Sequence, residues 1–333
     1  MRVGVLGAGS WGTTIADLLA TQGHTVRLWA YESEVVESIN RDHVNAVFLA
    51  DARIAETIVA CTDIAEAAEH AELIVSAAPS HAVRSVSTAL CTQLNGKQPP
   101  VVVSVSKGLE TDTLKTMTNV LRETLHASQV VALSGPSFAQ EVYARQPTAV
   151  VAASDDESAA RTVQDAFATA YFRVYTSDDP LGVELGGALK NVIAIAAGLL
   201  HGLRLGHNAL AALITRGLAE VSRLGEALGA KPRTFAGLAG LGDLILTATG
   251  ALSRNRALGI ELAEGRSLEE ILASRRTVAE GVRSARAAVT LAQQAGTELP
   301  IAVEVANILF EGKPPERAVR DLMERELKAE QWR

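Results

Sequence analysis

Short runs of β-branched and apolar residues alternate with helical patterns through the first half of this 333-residue chain, and then they stop. The runs are Val3 to Leu6, Thr25 to Trp29, Leu73 to Ala77, Val101 to Val105, Val130 to Leu133, Ala149 to Ala153 and Phe172 to Tyr175. Such alternation implies a mainly parallel sheet wrapped by helices. After Asp178-Asp179-Pro180 only helical spacing of Ala, Leu, Glu and Arg remains. Asp179 suits the N-cap of the helix that follows and Pro180 its first position. Helix breaks are expected at Gly206-His207-Asn208, Gly229-Ala230-Lys231-Pro232, Gly265-Arg266-Ser267 and Gly296-Thr297, with another helix start at Lys313-Pro314-Pro315. No repeat of fixed period is present, which argues against a solenoid.

The opening turn, Gly7-Ala8-Gly9-Ser10-Trp11-Gly12, follows a strand and precedes an amphipathic helix. That context gives each glycine a mechanical reason in a dinucleotide site. Gly7 permits the tight turn, Gly9 lets backbone approach a pyrophosphate, and Gly12 lets helix and strand pack closely. The helix N-terminus then offers N–H groups to the anion. The expected fold class is therefore α/β. A Rossmann-type, mainly parallel sheet domain (residues 1–179) is followed by an all-helical C-terminal domain (residues 180–333) that binds substrate. At the end of the second strand stand Tyr31 and Glu32, where an acid holds the ribose hydroxyls of NAD and a cation favours the 2′-phosphate of NADP. Glu32 leans towards NAD; Arg41 lies nearby in sequence, and Glu32 is also placed to cap a helix, so NAD and NADP both stay open.

Composition narrows the class further. With 48% hydrophobic residues the chain can bury two cores, and a net charge of -7 with only short basic runs argues against a nucleic-acid partner. Cys61 and Cys91, the two cysteines, show no metal-ligand spacing, nor do the seven histidines, so no metal is expected and a reducing, cytoplasmic setting fits. Met1-Arg2 runs straight into a strand, without the layout of an export signal. The most membrane-like stretch, about Leu181 to Leu203, contains Glu184, Lys190 and Asn191 and holds about nine uninterrupted apolar residues against the ~20 of a span. A buried helix is expected there, without stable membrane insertion. The apolar helical domain leaves a homodimer surface open.

Several polar groups point to a second, substrate-binding site. Lys190 sits among Leu185, Ala188, Leu189, Val192, Ile193 and Ala196, where its ammonium is hard to keep in water. Burial lowers a lysine pKa and a carboxylate such as Asp243 raises it again, a balance suited to general acid/base work; alone, Lys190 would read as a lysine reaching to the surface. Lys107, in Ser106-Lys107-Gly108-Leu109-Glu110, follows a strand whose C-terminal end faces the ligand crevice of an open α/β sheet, though a solvent-facing turn would look the same. Ser134-Gly135-Pro136-Ser137-Phe138-Ala139 ends another strand. In Ser253-Arg254-Asn255 the guanidinium fork suits phosphate, the amide adds hydrogen bonds, and Ser253 can cap a helix. Thr247 and Thr249 could add donors but read better as helix-end residues, and Glu280 reads as either a cofactor contact or a cap. No Gly-x-Ser-x-Gly elbow is present.

With these motifs together, the sequence resembles the bacterial-type NAD(P)-dependent glycerol-3-phosphate dehydrogenases over nearly its whole length. The resemblance rests on residues 7–12, 106–110, 134–139, Ala188-Leu189-Lys190-Asn191-Val192, Gly240-Leu241-Gly242-Asp243, 253–255 and Val278-Ala279-Glu280-Gly281-Val282. It implies hydride transfer between NAD(P)H and dihydroxyacetone phosphate, giving sn-glycerol 3-phosphate for phospholipid synthesis. Lys190 would exchange the proton at the C2 oxygen, Lys107 would contact cofactor and substrate, and Asp243 would position the reacting end. Arg254 and Asn255 would hold the phosphate, with Gly135, Ser137 and Ser253 also in the substrate site. Ser10, Trp11, Phe48, Ala139, Arg254, Val278 and Glu280 would surround the dinucleotide. One departure bears on the cofactor: many NADPH-using members carry an arginine where this chain has Tyr31 and then Glu32. A second, His207 where an aspartate is common, has no evident mechanistic role. A β-hydroxyacid or 6-phosphogluconate-type dehydrogenase and a non-catalytic NAD(H) sensor share enough of the pattern to stand as rivals.

Overall fold

The computed structural model describes residues 1–94, 96, 99–274, 279–327 and 329–330. Its main sheet is built from β1 (Arg2–Leu6), β2 (Thr25–Trp29), β5 (Val59–Cys61), β6 (Leu73–Ser76), β7 (Val101–Ser104), β8 (Val130–Ser134), β9 (Thr148–Ala153) and β10 (Phe172–Ser177). A separate hairpin pairs β3 (Val44–Asn45) with β4 (Leu49–Arg53). The sheet order is β10-β9-β8-β7-β6-β1-β2-β5. All pairings in it are parallel except β8 with β9, which run antiparallel with Ala132 opposite Ala153. The chain leaves β1 towards β2 on one side and returns to β6 on the other. The ends of β1 and β6 therefore flank the crevice where open α/β sheets bind ligands.

Each of the seven strands expected from the sequence is present. The alternation does not reveal β3, β4 or β5. Leu49-Ala50-Asp51-Ala52-Arg53 carries little β-branched character, and three-residue β5 is too short to show a period. Two apolar clusters cover the sheet, one centred on Ile15, Leu19, Val75 and Phe172, the other on Leu6, Ile74, Leu90 and Val102. From Pro180 onward the described residues form only helices, packed on a third core around Leu189, Ile193, Leu224 and Leu258.

The centre of that core is the helix Pro180–Gly202. Asp179 caps it, accepting from Gly182 N at 2.9 Å, and Pro180 occupies the first turn, as the sequence suggests. Oδ2 of the same carboxylate accepts from Lys231 N at 2.9 Å and Thr234 Oγ1 at 2.5 Å, tying the Gly229 turn to the cap. By length and composition this helix could cross a membrane, yet its most apolar window is wholly buried among other helices. Glycines at 182, 186, 187, 198 and 202 would cost it roughly 1 kcal/mol each relative to alanine. Close packing offsets that cost: a Cβ on Gly198 would lie 2.0 Å from Arg256 O, and one on Gly259 2.1 Å from Ile195 O. The helix Arg254–Ala263 thus lies backbone to backbone on the central helix. Gly206, Gly229, Gly265 and Gly296 all mark helix ends, and Pro315 opens the helix Pro315–Met323.

This contact predicts that Gly198→Ala or Gly259→Ala will destabilise the protein by about 1–3 kcal/mol through overpacking. Gly206→Ala, whose Cβ would meet nothing within 4 Å, should be nearly neutral. Calorimetric melting of the three variants checks it; equal melting temperatures would mean the helices can move apart freely.

Candidate active site

The glycine turn closes between β1 and the helix Ser10–Thr21. Gly7 has φ 116°, and a Cβ there would press to 2.9 Å against the Ala77–Ala78 backbone. A Cβ on Gly12 would sit 1.9 Å from Gly7 O, whereas one on Gly9 would meet nothing within 4 Å. Protein packing alone thus requires two of the glycines. The helix starts at Gly9 with no side-chain cap, leaving its first-turn N–H groups to the crevice. Trp11 is half-buried, and its indole Nε1 is buried with no hydrogen-bond partner. Ser10 Oγ donates to Phe48 O at 2.7 Å, which brings Phe48 of the β3–β4 loop onto the turn. Ala139 opens the helix Ala139–Tyr143, and its carbonyl accepts from Thr14 Oγ1 at 3.3 Å.

Beyond β2, Tyr31 is 84% exposed. Glu32 stands at the N-cap position of the helix Ser33–Asp42 but its side chain makes no cap bond. Arg41 lies nine residues further on, roughly 13 Å along that helix, and pairs with Asp42. Glu280, at the start of the helix Glu280–Gln294, accepts from Ser80 N at 3.0 Å and Ser80 Oγ at 2.5 Å. It thereby joins the helical half to the turn after β6. Val278 lies outside the described residues.

A buried cluster of charges forms where three elements meet. Asp243 begins the helix Asp243–Thr249, directly after a π-helical turn over Leu238–Gly242. Its carboxylate, 1% exposed, takes Lys107 Nζ on Oδ2 at 2.7 Å and Lys190 Nζ on Oδ1. Lys107 comes from the loop after β7 and also donates to Gly135 O at 2.7 Å. Lys190 comes from the central helix and also donates to Thr247 Oγ1 at 2.9 Å, while Thr247 donates to Asp243 O at 2.6 Å. Burial pulls the Lys190 ammonium down to about 7; Lys107 adds to that shift and the Asp243 charge opposes it. The arrangement holds an exchangeable proton inside the protein. Thr247 proves to be a partner of Lys190, a role its i, i+4 spacing from Asp243 signals; Thr249 does end its helix.

Around this cluster, Gly135 has φ 147°, and its carbonyl also accepts from Ser137 Oγ at 3.0 Å. Ser253 is buried and caps the helix Arg254–Ala263, accepting from Arg256 N at 3.2 Å, and exposed Arg254 opens that helix. Asn255 is committed to bracing: Nδ2 donates to Asn191 Oδ1 at 2.9 Å and Oδ1 accepts from Gly281 N at 3.0 Å. It ties three helices and keeps one amide hydrogen for a ligand. No local signal marks Ser80 as the partner of Glu280 or Asn191 as the partner of Asn255, since each pairing is a contact distant along the chain. Among the described residues no group of three or more His, Cys, Asp or Glu side chains is arranged to hold a metal.

Comparison with known proteins adds an independent line. A family model described as NAD-dependent glycerol-3-phosphate dehydrogenase N-terminus matches residues 2–160, and its C-terminus counterpart matches 179–320. The glycerol-3-phosphate dehydrogenase (NAD(P)+) of Geobacter sp. (strain M21) is 52% identical over 332 residues, covering 99% of this chain and 98% of that protein. The protein of the same name from Geobacter metallireducens is 53% identical over 332 residues, covering 99% and 98%. A crystal structure of glycerol-3-phosphate dehydrogenase from Coxiella burnetii superposes with a TM-score of 0.92 at 40% identity, covering 97% of this chain and 99% of that one.

Charge balance in the buried cluster yields a test that does not depend on function. Asp243→Asn leaves one buried and one part-buried ammonium group without a counter-charge and should cost about 3–5 kcal/mol. Lys107→Met leaves a balanced pair and should cost much less. Urea unfolding of the two variants compares them, and equal losses would show that the carboxylate does not balance both lysines.

Proposed function

The chain belongs to the NAD-dependent glycerol-3-phosphate dehydrogenase family, and we propose that the Lys190–Asp243–Lys107 cluster is where it performs the family's reaction. The protein is an NAD(P)-dependent oxidoreductase interconverting dihydroxyacetone phosphate and sn-glycerol 3-phosphate. The observation that carries the site reading is the buried Lys190 ammonium, held near neutrality against a shared carboxylate.

The residues around the crevice fit a nicotinamide dinucleotide. The uncapped helix start at Gly9 suits the pyrophosphate, the unpartnered Trp11 indole N–H suits a ligand acceptor, and Ser10, Phe48, Ala139 and Glu280 adjoin the same crevice or its rim. When bound, the nicotinamide supplies or accepts the hydride at C2. Protonated Lys190 donates to the oxygen that becomes negative as the ketone is reduced, and neutral Lys190 takes the proton back in the oxidation. Asp243 holds Lys190 in place and Lys107 adds positive charge beside the same oxygen. Arg254, at a helix N-terminus, and the remaining amide hydrogen of Asn255 bind the phosphate, with Ser253, Gly135 and Ser137 around it. That anchoring turns hydride transfer into a positioned, unimolecular step. Val278 belongs to the cofactor side on resemblance alone.

Residues 1–179 act as the cofactor domain and 180–333 as the substrate domain on this reading. Burial of the central helix's most apolar window supports a chain that does not insert into a membrane, and the free thiols of Cys61 and Cys91 support a reducing, cytoplasmic setting. A homodimer through the helical half is the assembly we infer, with supply of glycerol 3-phosphate to phospholipids as the metabolic role.

Lys190→Met should abolish turnover and leave NADH binding by fluorescence titration unchanged; full turnover in that variant removes the assignment. In the wild type, kcat for ketone reduction should fall as pH rises through about 7, because the protonated form is lost, and kcat for glycerol 3-phosphate oxidation should rise over the same window. Identical profiles in the two directions would rule out Lys190 as the titrating group. Glu32 is left uncapping and would repel a 2′-phosphate, so NADH should be oxidised faster than NADPH with dihydroxyacetone phosphate. Comparable or better use of NADPH would sink that preference and keep the enzyme.

A further inference from the structure

The hairpin that the strand pattern does not reveal meets the glycine turn through one fully buried side chain, Asn45. Its Nδ2 donates to Ala8 O at 2.7 Å and to Thr13 Oγ1 at 2.8 Å. The Thr13 hydroxyl in turn donates to the same Ala8 carbonyl at 3.2 Å. On its other side, Asn45 Oδ1 accepts from Phe48 N at 3.0 Å, and Phe48 O accepts from Ser10 Oγ. Hairpin loop and glycine turn are thus cross-linked by a closed set of hydrogen bonds with no polar atom of Asn45 left over.

The consequence lies in peptide geometry. A trans peptide is planar, so the carbonyl of one residue and the N–H of the next point in opposite directions. Two donors draw Ala8 O inward, and the Gly9 N–H is therefore turned outward. Gly9 has extended backbone, φ -66° and ψ 175°, and no neighbour crowds its Cβ position, so hydrogen bonds rather than packing hold that peptide: Asn45 Nδ2 makes the shorter bond to Ala8 O, and the Thr13 hydroxyl that makes the longer one is itself held by Asn45.

We propose that Asn45 is a positioning residue for the cofactor: by fixing the Ala8 carbonyl it aims the Gly9 N–H at the pyrophosphate. The proposal rests on reading residues 7–12 as the dinucleotide turn. Asn45→Ala removes both ties, and Asn45→Asp keeps the bond from Phe48 N while setting a carboxylate oxygen against Ala8 O. A hydrogen bond to a charged group is lost in each, so Kd and KM for NADH should rise about tenfold to a hundredfold. At saturating NADH, kcat should stay within about twofold and KM for dihydroxyacetone phosphate should not move.

Asp17→Ala serves as the control for simple loosening. Asp17 Oδ1 accepts from Ala55 N at 2.8 Å, tying the far end of the hairpin to the same helix without touching Ala8. It should lower the melting temperature and leave the cofactor KM as in the wild type. If Asp17→Ala raises that KM as much as Asn45→Ala, or if both Asn45 variants bind NADH normally, the inference is overturned. Gly9→Val separates it from the reading beneath it. Normal NADH binding in Gly9→Val would refute the dinucleotide turn itself, whereas weakened binding there beside normal Asn45 variants would refute the role of Asn45 alone. Should Asn45→Ala melt below the assay temperature, Asn45→Asp decides.

Discussion

One carboxylate shared by two ammonium groups sets the terms for the rest of the molecule. Asp243, Lys107 and Lys190 come from a helix start, a post-strand loop and the middle of a buried helix, and their ion pairs pull the two halves of the chain to one point. Burying charge is expensive unless partners are close. The cluster is not neutral when both lysines are protonated: it carries one excess positive charge. Two routes relieve it, and both serve chemistry. Lys190 can release its proton, as its lowered pKa allows, or an anion can bind alongside. A phosphorylated substrate is therefore favoured by the same imbalance that keeps the proton exchangeable.

The helical half is built to tolerate this. A lysine in the middle of a 23-residue helix whose residues 182–199 are buried would destabilise that helix if it stood alone. Thr247, one turn after Asp243, supplies a further acceptor, and Asn191 and Asn255 brace the neighbouring helices by amide bonds rather than by charge. Gly198 and Gly259 let the Arg254–Ala263 helix approach at backbone distance, which brings Ser253, Arg254 and Asn255 beside the central helix. The glycines that weaken the helix as an isolated segment thus contribute to where the groups proposed to bind phosphate sit.

What the sequence made legible follows from how each feature is encoded. Strands of four or more residues rich in β-branched and apolar side chains, the Asp179–Pro180 helix start and the glycine breaks are local signals, and each appears where it was expected. Lys190 and Asp243 were legible as a pair because each is anomalous in its own surroundings, an ammonium among apolar residues and an acid in a glycine-rich turn. The β3–β4 hairpin was not, since its residues have weak strand character and are held by Asn45, Asp17 and Tyr143 contacts to distant segments. Asn255 shows the limit of motif reading: its position beside Arg254 suggested a ligand contact, while most of its hydrogen-bonding capacity ties helices together.

The choice of lysine over arginine at position 190 follows from the same energetics. A guanidinium stays charged at any pH the protein survives and presents a broad fork, so it would bind a carboxylate or phosphate firmly but would not hand over a proton. A lysine's pKa, by contrast, moves readily with desolvation. Position 254 has the opposite demand: at an exposed helix start the group needs permanent charge and two parallel donors, which arginine supplies. The two cations are therefore not interchangeable, and burial separates their roles. On the proposed reading, the buried one carries the proton and the exposed one holds the phosphate.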